Sequence, residues 1–558
     1  MKERYIELME LTLSAYTEEH IKGYFDRVKR EGLKEHGFPR LAADIGILIA
    51  HGRRRDLTPL FVEMMELCCY SIPRVKAAND FSVREVISCL WEIEKSGAID
   101  KDIIDRWKGY LREIDPPECY DVYAKKSGDM VKNWALFTAV SEFYRQKMGL
   151  CNSEEFIDIQ LEAQLKWLDE NGMYMDAEGI KHHHINYDMV PRGLFTLLLN
   201  EGYRGKHFKA IDECLRKAGL LTLKMQSPNG EMGFGGRSNQ FLYTEEWMIT
   251  IFEYEARRYQ SEGNFALAAE FKAASKRALA VTEYWLSLNP IRHIRNRFPT
   301  ETRHGCEDYA YFDKYMITVA SNLHAAYQVC DDSIPVPDTP DTRPCVFETS
   351  RFFHKLFLKA GGYGIEFDLD ADAHYDANGL GRVHRADAPS TVCISVPCPE
   401  NPIYTVTVDT PTALSICPVI LINSKWVFAT GEDAEYSVLK KEERKDSAYA
   451  SLRCDFGSRV IVDSEYTVSA DGVEISATGA GKFGIMLPAF HFDGEKYTEI
   501  EYTESTLTVK YNGWQCKYLT DGNIIPTDTV SANRNGYYKR FVVAGDSKIG
   551  VKIVIDKI

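Results

Sequence analysis

Several features that would indicate particular classes of protein are missing from this sequence of 558 residues. No apolar run approaches the roughly 20 residues that a membrane-spanning helix needs. No Cys-x-x-Cys pair is followed by a second pair at zinc-binding spacing, so a structural zinc site is not expected. Acidic residues outnumber basic ones, which gives a formal net charge of -15. That balance argues against a nucleic-acid-binding surface, because phosphate contacts need clustered Lys and Arg.

The opening residues, MKERYIELMELTLSAYTEEH, contain no uninterrupted apolar segment of the kind found in signal peptides. The 14 cysteines are scattered without a repeating framework, a pattern typical of reduced, mostly buried thiols. We therefore expect a cytoplasmic protein whose native chain starts at Met1. Oligomeric state is not indicated, and a homo-oligomer is compatible with the sequence. The length is too great for one ordinary core, which predicts two or three domains.

The first part of the chain is typical of helices. Apolar residues recur at three- and four-residue spacing in 57–72, 82–97 and 154–172. Ser153 is a predicted N-cap of the third stretch, and Gly172 is its predicted C-terminal glycine. About a dozen such stretches follow one another without an exact repeat, so a consensus solenoid is not expected.

A proline-rich segment then separates the helical part from a different pattern. Prolines occupy positions 335, 337, 340 and 344, where a helix cannot continue. Beyond them, apolar and polar residues alternate with period two in many short runs, including STVCISVP (390–397) and IYTVTVD (403–409). Asp-Gly and Asn-Gly pairs between the runs predict hairpin turns. Roughly ten or more antiparallel strands are predicted.

Together these patterns predict a multidomain protein with separate α and β parts. Residues 1–330 are predicted to form an N-terminal (α/α) toroid that carries the catalytic site. Residues 331–345 are the predicted linker, and residues 346–558 a C-terminal antiparallel β-sandwich. In a toroid the loops at one rim shape a pocket, so polar loops between helices are the places to look for chemistry.

The first polar segment begins a helical pattern at 131–140. Asn133 and Trp134 interrupt the apolar periodicity there. An amide side chain at this point would either cap the helix or face the rim, and the tryptophan would either lie in the core or contact a substrate. The sequence leaves both interpretations open.

The second segment, 169–192, is an unusually long and polar connection between two helices. Its ionisable residues are His182, His183, His184, Tyr187, Asp188 and Arg192. Asp188 is interpreted as an N-cap and Pro191 as a first-turn residue, which leaves Tyr187 and the histidines on the loop side. Adjacent histidines of an extended chain point in opposite directions, so no metal is predicted here. No cofactor is predicted, and a divalent ion in the sandwich is left open.

Two further segments enter helices with polar residues. In 227–247, glycines and asparagines precede Arg237, Asn239, Gln240 and Tyr243, a backbone suited to an anion. The alternative is that Ser238 caps the helix, Gly235-Gly236 turn the chain and Arg237 is solvated. In 303–316 the corresponding residues are His304, Glu307, Tyr309 and Tyr311. The sandwich adds the segment 374–390. Its residues His384 and Arg385 either lie at the charged tip of a surface hairpin or contact the sugar where the sandwich leans on the toroid rim.

The combination of Asn, His, Tyr and Arg suits elimination from a uronic acid. The proton on C5 is only weakly acidic, and neutralising the adjacent carboxylate lets negative charge delocalise as an enediolate. A tyrosine beside a cation has its pKa lowered and can take that proton. The same or another tyrosine can protonate the leaving oxygen at C4.

At this point the sequence resembles the toroidal polysaccharide lyases, which include chondroitin, hyaluronate, alginate and heparinase II/III-like enzymes. The resemblance lies in the NGMYMD turn, a following His, a Tyr entering an apolar helix, and Asn133-Trp134 located 51 positions upstream of His184. It implies that Asn133 neutralises the carboxylate, His184 assists it and Tyr187 is the base, with Arg237 as a match for the downstream Arg. The His-to-Tyr gap is shorter here than in that group, so His182 and His183 compete for the histidine role.

A narrower resemblance concerns GGRSNQ (235–240) and HGCEDYAYF (304–312). These segments are similar to lyases that remove a rhamnose cap from glucuronate on arabinogalactan. The expected function is therefore a polysaccharide or oligosaccharide lyase that cleaves at C4 of a uronate by β-elimination. The expected partner is a uronate-containing glycan, with neither nucleic acid nor membrane.

The predicted site residues fall into two groups. The catalytic group is Tyr187, His184, Asn133, Arg237, His304, Glu307 and Tyr309. The substrate-binding group is Trp134, His183, Arg192, Asn239, Gln240, Tyr243, Tyr311, His384 and Arg385. Two alternatives remain: a glycoside hydrolase of the same fold, including one for unsaturated uronides, with carboxylates from Glu245, Glu246, Glu307 and Asp188, and a non-catalytic glycan-binding protein.

Overall fold

The computed structural model describes residues 1–176, 184–337, 342–431, 434–457 and 460–558. Fourteen α-helices lie within these residues, and all precede the first strand. They are α1 (Lys2–Leu13), α2 (Glu18–Glu31), α3 (Gly37–Ala50), α4 (Thr58–Ser71), α5 (Asn79–Ser96), α6 (Lys101–Arg112), α7 (Pro116–Cys119), α8 (Trp134–Lys147), α9 (Glu154–Leu165), α10 (Ile185–Asn200), α11 (Phe208–Met225), α12 (Tyr243–Ser261), α13 (Phe265–Leu286) and α14 (Phe312–Val329).

Six of these helices form a closed inner ring. α3 packs against α5, α5 against α8, α8 against α10, α10 against α12, α12 against α14, and α14 returns to α3. Outer helices cover them, for example α4 on α3, α9 on α8 and α13 on α12. Inner helices are buried on nearly all sides, which explains near-continuous apolar runs such as ILIA at 47–50. The N-terminal part is thus an (α/α) toroid.

The inner helices begin at the same rim, because an outer helix returns the chain between them. The ring centroids of His36 and Phe81 lie 4.8 Å apart, and those of Phe81 and Trp134 lie 4.6 Å apart. Elsewhere on the rim, the ring centroids of Tyr243 and Tyr315 are 5.6 Å apart. Each helix N-terminus carries a partial positive charge, so the rim is a favourable place for an anion.

The helix predicted for 154–172 is shorter than expected. It is α9, which ends at Leu165, and Gly172 lies in the turn that follows with φ of +77°. Ser153 precedes the helix without forming a cap hydrogen bond; its hydroxyl donates instead to Glu142 Oε2 at 2.6 Å. The buried carboxylate of Glu142 needs several hydrogen-bond donors. Its bond with Ser153 therefore replaces the helix cap that Ser153 was predicted to form.

Seventeen strands are found in the described residues, and all of their pairings are antiparallel. They are β1 (Cys345–Glu348), β2 (Lys355–Ala360), β3 (Tyr363–Asp368), β4 (Gly379–Arg385), β5 (Cys417–Ile422), β6 (Lys425–Phe428), β7 (Glu435–Glu443), β8 (Ser447–Asp455), β9 (Ile461–Ser469), β10 (Gly472–Gly479), β11 (Phe483–Phe492), β12 (Glu499–Tyr502), β13 (Thr506–Tyr511), β14 (Trp514–Thr520), β15 (Asn523–Ala532), β16 (Tyr537–Gly545) and β17 (Lys548–Lys557).

These strands form three sheets. An eight-stranded sheet has the order β12-β13-β14-β17-β10-β9-β8-β7, and a five-stranded sheet has the order β15-β16-β11-β5-β6. A four-stranded sheet, β1-β2-β3-β4, packs its β2 and β3 against β8 and β9. One apolar core runs through all three sheets. The prediction of an (α/α) toroid followed by an antiparallel β-sandwich is confirmed.

Two runs that were predicted as strands form no regular strand. Residues 390–397 and 403–409 make only isolated bridges or irregular structure. The reason is visible at Thr405, whose backbone pairs with the toroid instead of a sheet: Gly305 N–H donates to Thr405 O at 2.8 Å, and Thr405 N–H donates to Cys306 O at 3.0 Å. The alternating run 403–409 therefore forms part of the contact between the toroid and the sandwich rather than a strand.

The remaining general expectations can be compared briefly with the structure. Among the described residues the cysteines form no disulfide bond, and most of them are buried. Among the described residues, no helix combines the length and apolar character that crossing a membrane would require. Helices end at Val329 and strands begin at Cys345, while the exact domain limits of 1–330, 331–345 and 346–558 remain predictions.

Candidate active site

The start of α10 places two of the predicted catalytic residues at the rim. His184 immediately precedes the helix, and Tyr187 lies in its first turn. The sequence-based interpretation of the same turn needs two corrections. The helix begins at Ile185, so Asp188 is a helical residue rather than the N-cap, and Pro191 lies inside the helix rather than in its first turn.

A buried ion pair explains the position of Asp188. Its carboxylate accepts hydrogen bonds from the Tyr174 backbone N–H and from Arg192 Nε, both at 2.8 Å. Arg192 also donates to Thr222 Oγ1 at 2.9 Å, and neither side chain of the ion pair has exposed surface. A fully buried arginine has no surface with which to contact a glycan. The structure therefore gives Arg192 a structural role in place of the predicted substrate contact.

The loop that precedes α12 approaches His184 with its backbone. Gly236 has φ of +78°, and a Cβ at this position would lie 2.1 Å from His184 Nδ1, so only glycine fits. The next backbone N–H, that of Arg237, donates to His184 Nδ1 at 2.9 Å. Because Nδ1 accepts this bond, the proton of the neutral imidazole is on Nε2, which is then a hydrogen-bond donor.

The side chain of Arg237 lies against Tyr187. The guanidinium carbon is 4.6 Å from the centroid of the Tyr187 ring. Burial raises the pKa of Tyr187 above its ordinary value, while the charge of Arg237 and hydrogen bonds with Ser238 and Tyr309 oppose that rise. The negative charge of Glu307 adds to the rise, so the phenol lies between groups that favour its deprotonated form and groups that oppose it.

Ser238 connects Tyr187 to two further predicted residues. Its hydroxyl lies 2.8 Å from the hydroxyl of Tyr309, and its backbone N–H donates to Glu307 Oε1 at 2.6 Å. Glu307 accepts two hydrogen bonds from Arg534, at 2.7 and 2.9 Å. Tyr309 is therefore part of a cluster of hydroxyls around Tyr187, and Glu307 holds the loop that carries the cluster.

Asn133 and Trp134 begin α8 on the same rim. Asn133 precedes the helix but forms no cap hydrogen bond, so the interpretation as a simple helix cap is not supported. Its side chain is 4% exposed, and no hydrogen bond of its amide group is found among the described residues. Trp134 is half-buried, with its ring on Phe81 and the Lys132 ammonium 4.2 Å from a ring centroid.

A chain of hydrogen bonds fixes the start of α8 relative to the start of α10. Gln164 donates to the Val131 carbonyl at 3.1 Å and accepts from the Tyr174 hydroxyl at 2.7 Å. The backbone N–H of Tyr174 then donates to Asp188, one residue after Tyr187. One buried network therefore holds the helix starts that carry Asn133, the predicted carboxylate neutraliser, and Tyr187, the predicted base.

The sandwich contributes two residues that the sequence analysis missed. The Tyr375 ring meets His184 edge-on with centroids 5.3 Å apart. Asp376 accepts a hydrogen bond from the Gly236 N–H at 2.7 Å, and burial raises the pKa of this carboxyl to about 6. Both lie in the segment 374–390, from which His384 and Arg385 were predicted to contact the sugar. The residues of this segment that reach the rim are Tyr375 and Asp376 instead.

The two residues predicted from that segment have other positions. Residues 379–385 form β4 rather than a hairpin tip. His384 is 1% exposed, its Nε2 pairs with Ser395 Oγ at 3.0 Å, and burial lowers its pKa to about 3. Arg385 pairs with Asp556 at 3.0 Å. Strand pairing keeps both side chains among sandwich neighbours, so their predicted contact with a sugar is not supported.

Three predicted substrate-binding residues are buried beneath the loop that precedes α12 and contact other protein groups there. Asn239 Oδ1 accepts from Gln240 Nε2 at 2.6 Å, and Gln240 Oε1 accepts from Arg295 Nε at 3.1 Å. Tyr243 packs on Tyr315, and burial raises the pKa of its phenol well above the ordinary value. All three predicted residues are buried, which gives them a positioning role.

The remaining two predicted residues differ strongly in exposure. The ring nitrogens of His304 pair with Thr407 Oγ1 at 3.1 Å and with Asn533 O at 2.8 Å, and burial lowers its pKa to about 4. This histidine therefore joins the toroid to the sandwich. Tyr311 is 57% exposed and has the Arg303 guanidinium 5.1 Å from its ring centroid, so it is free to contact a ligand.

The carboxylates required by the hydrolase alternative are held internally. Glu245 pairs with Arg295, and Glu246 accepts from Thr282 Oγ1 at 2.8 Å; burial raises the pKa of both carboxyls. Asp188 and Glu307 are in the ion pairs given above. Within the described ranges, no group of three or more His, Cys, Asp or Glu is arranged to hold a metal ion. His182 and His183 lie outside the described residues.

Comparison with known proteins yields likenesses of structure only. No family model and no curated protein matches the chain. Among solved structures, heparinase III has a TM-score of 0.47 at 10% identity, covering 92% of this chain and 76% of that chain. A heparan sulfate lyase HepC mutant from Pedobacter heparinus has a TM-score of 0.48 at 8% identity, with coverage of 92% and 76%. Chondroitinase AC lyase has a TM-score of 0.41 at 9% identity, with coverage of 98% and 83%.

These solved structures are toroidal polysaccharide lyases, the group that the segment around Tyr187 resembles. At identities near 10% and TM-scores below 0.5, the reaction of this chain has to be inferred from its own residues.

Proposed function

We propose that this chain is a polysaccharide or oligosaccharide lyase that cleaves the glycosidic bond at C4 of a uronic acid by β-elimination. The observation that carries the proposal is the environment of Tyr187. A guanidinium lies 4.6 Å from its ring centroid, and the hydroxyls of Ser238 and Tyr309 adjoin its own. A phenol in such surroundings is suited to act as a general base.

In this proposal Tyr187 takes the proton from C5 of the uronate. The Asn133 amide and the Nε2–H of His184 donate to the sugar carboxylate as negative charge develops on it. The C4–O bond then breaks and a C4–C5 double bond forms. The leaving oxygen receives a proton either from Tyr187, which returns directly to its starting state, or from Tyr309. In the second case the proton held by Tyr187 passes to Tyr309 through the Ser238 hydroxyl, 2.8 Å from that of Tyr309, before the next turnover.

Substrate recognition follows from the shape and charge of the rim. Helix N-termini and Arg237 favour an anionic sugar, while Trp134 and Tyr311 offer aromatic surface to its rings. We propose glucuronate as the uronate, and rhamnose-capped glucuronate as the narrower substrate hypothesis.

The test is the ultraviolet absorbance of the C4–C5 double bond, recorded while the protein is incubated with glucuronate-containing glycans. Product with this absorbance is expected, and Tyr187→Phe is expected to lower kcat by about 10³-fold. Tyr497→Phe is the matched control, because Tyr497 is 67% exposed on the sandwich. Saturated products alone would favour the hydrolase alternative, and binding without turnover would favour a glycan-binding protein.

A further inference from the structure

Two cavities open beside α13, and neither is lined by Tyr187 or Arg237. Their volumes are about 1030 and 840 Å³. The smaller one lies between α13 and the sandwich. The loop before α12 separates it from the candidate active site, because Asn229 and Glu231 line the cavity whereas Arg237 and Ser238 face Tyr187.

Aromatic side chains from both parts of the chain line this 840 Å³ cavity. Tyr284 and Trp285 come from the end of α13, and Tyr511 and Trp514 come from the β13–β14 hairpin. Tyr284 is 46% exposed and Trp285 is half-buried. Partly exposed aromatic faces within a concave site are surfaces on which sugar rings can pack, since they combine apolar area with a polar edge.

The polar groups of the same cavity favour a ligand with both hydroxyls and negative charge. Lys276 is exposed and has no ion-pair partner among the described residues, and Arg277 and Arg297 also line the cavity. The side chain of Asn535 is 2% exposed, and its Nδ2 donates to Gln240 and to the Arg295 carbonyl.

The opposite atom of that amide, Asn535 Oδ1, accepts no hydrogen bond within the described part of the chain, and the same holds for Asn229 Oδ1. A buried acceptor without a donor is costly. Both oxygens lie below the accessible surface of the cavity, so a sugar hydroxyl supplies the missing donor only after a rotation of the amide side chain. Two acidic residues line the cavity: Glu231, which is compensated by Arg295 and Ser390, and the exposed Asp387. The lining also holds Lys276, Arg277, Arg295 and Arg297, so basic residues outnumber acidic ones there.

We propose that this cavity is a second, non-catalytic carbohydrate-binding site that takes an oligosaccharide bearing carboxylates. The choice of a uronate rests on the proposed function; the cavity itself does not depend on lyase activity. Trp285 and Trp514 provide packing surfaces, and Lys276 provides charge.

The test uses fluorine NMR of the full chain labelled with 5-fluorotryptophan, which gives one signal for each of the 8 tryptophans. The Tyr187→Phe variant is used so that the probe is not degraded. The probe is an octasaccharide of alternating glucuronate and N-acetylglucosamine, and signals are assigned by single Trp→Phe substitutions. Trp285 and Trp514 report on the cavity, Trp134 on the candidate active site, and the fully buried Trp107 on nonspecific change.

We expect the Trp285 and Trp514 signals to shift along a saturable curve that is separate from the curve of Trp134. Lys276→Glu should weaken the curve read at Trp285 by about tenfold and leave that of Trp134 unchanged. Lys209→Glu is the control, because Lys209 is exposed on α11 and does not line the cavity. Maltooctaose, which carries no charge, should bind the cavity more weakly.

Shifts confined to Trp134, or no shift at any tryptophan, would overturn the second site. Shifts at Trp285 and Trp514 in a protein whose wild-type form shows no lyase activity would overturn the proposed function and leave the second site standing. The two ideas therefore fail separately.

Discussion

Among single residues, Tyr187 has a pKa on which neighbouring groups act in opposite directions. Burial raises the pKa of its phenol, and Arg237, Ser238 and Tyr309 act in the opposite direction. The rate of an enzyme that uses this phenol as a base should rise with pH, because the fraction of phenolate rises until the pKa of Tyr187 is passed.

Arg237→Ala is expected to move that rise to higher pH. Losing a positive charge next to the phenolate raises the pKa of Tyr187 further, so less phenolate is present at each pH. The measurement is the pH profile of kcat/KM, and Arg237→Lys should restore most of the original profile. An unshifted profile with a higher KM alone would mean that Arg237 binds substrate without affecting Tyr187.

Asn133→Asp is expected to reduce kcat by about 10² to 10³-fold, and to lower the free energy of unfolding as well, because the new carboxylate takes the place of a side chain that is only 4% exposed. The substitution keeps the shape of the side chain but replaces an amide donor with a carboxylate, which repels the carboxylate of the uronate. Asn264→Asp is the control, because Asn264 caps α13 and aspartate caps equally well. A small effect of Asn133→Asp on kcat would remove Asn133 from the proposed mechanism.

Among the elements, the loop before α12 is held by contacts from both parts of the chain. It passes between the toroid and the sandwich, and its backbone is held at Phe234 by Glu366 at 3.1 Å and at Met232 by Arg382 at 2.7 Å. Ser238 lies within it at φ of +59°, a conformation that costs energy in any residue other than glycine. Contacts from both sides hold the loop in the form that brings Arg237 to Tyr187.

Gly236→Ala should reveal how closely this loop determines activity. The new Cβ would lie 2.1 Å from His184 Nδ1, so the loop and His184 must separate. We expect kcat/KM to fall by about 100-fold, as for displacement of a reacting group by about 1 Å. Gly263→Ala is the matched control, because Gly263 has a similar φ of +80° but no atom within 4 Å of the added Cβ.

Each variant should also lose about 1 kcal/mol of unfolding free energy from the left-handed backbone conformation. Chemical denaturation measures this loss. Equal activities for the two variants would show that contact between Gly236 and His184 is irrelevant to catalysis.

For the molecule as a whole, buried ion pairs join the toroid to the sandwich. The most complete is Glu307 with Arg534, which are 4% and 1% exposed as side chains. The guanidinium carbon of Arg534 also lies 3.9 Å from the centroid of the Tyr404 ring. Since Glu307 accepts the Ser238 N–H, the docking of the sandwich and the position of the Tyr187 cluster depend on the same carboxylate.

A double-mutant cycle on this pair tests the coupling. Arg534→Met and Glu307→Gln should each lower the free energy of unfolding by about 3 to 5 kcal/mol, because each leaves one buried charge or polar group without its partner. The double variant should lose clearly less than the sum of the two. The exposed pair Arg453 and Asp463 is the control, with an expected coupling below about 1 kcal/mol.

Arg534→Met is also expected to reduce kcat, although Arg534 lies in the sandwich, because Glu307 loses the partner that orients it. Additive losses of stability in the cycle, or an unchanged kcat, would show that the two parts of the chain act independently.

The order of helices and strands was predictable from the sequence because periodicity is a local property. A stripe of apolar residues at three- and four-residue spacing matches one face of a helix, and alternation matches one face of a strand, although the alternating runs 390–397 and 403–409 form no regular strand. The convergence of polar loops was also predictable, since the inner helices of a toroid begin at one rim. Asn133, Tyr187, Arg237 and Tyr309 do begin or precede inner helices.

Which predicted site residues are buried, and which groups they pair with, was decided only by the tertiary structure. Arg192 and His384 have the chemistry of site residues, but each is buried against a group outside its own helix or strand: Thr222 for the first, Ser395 for the second. Tyr375 reaches His184 across 191 positions of the chain because the sandwich docks on the rim. No local pattern encodes such a contact, since it depends on how two separately packed cores fit together. The sequence alone therefore determined the kinds of element and the rim on which chemistry was expected, and tertiary packing determined which side chains face each other there.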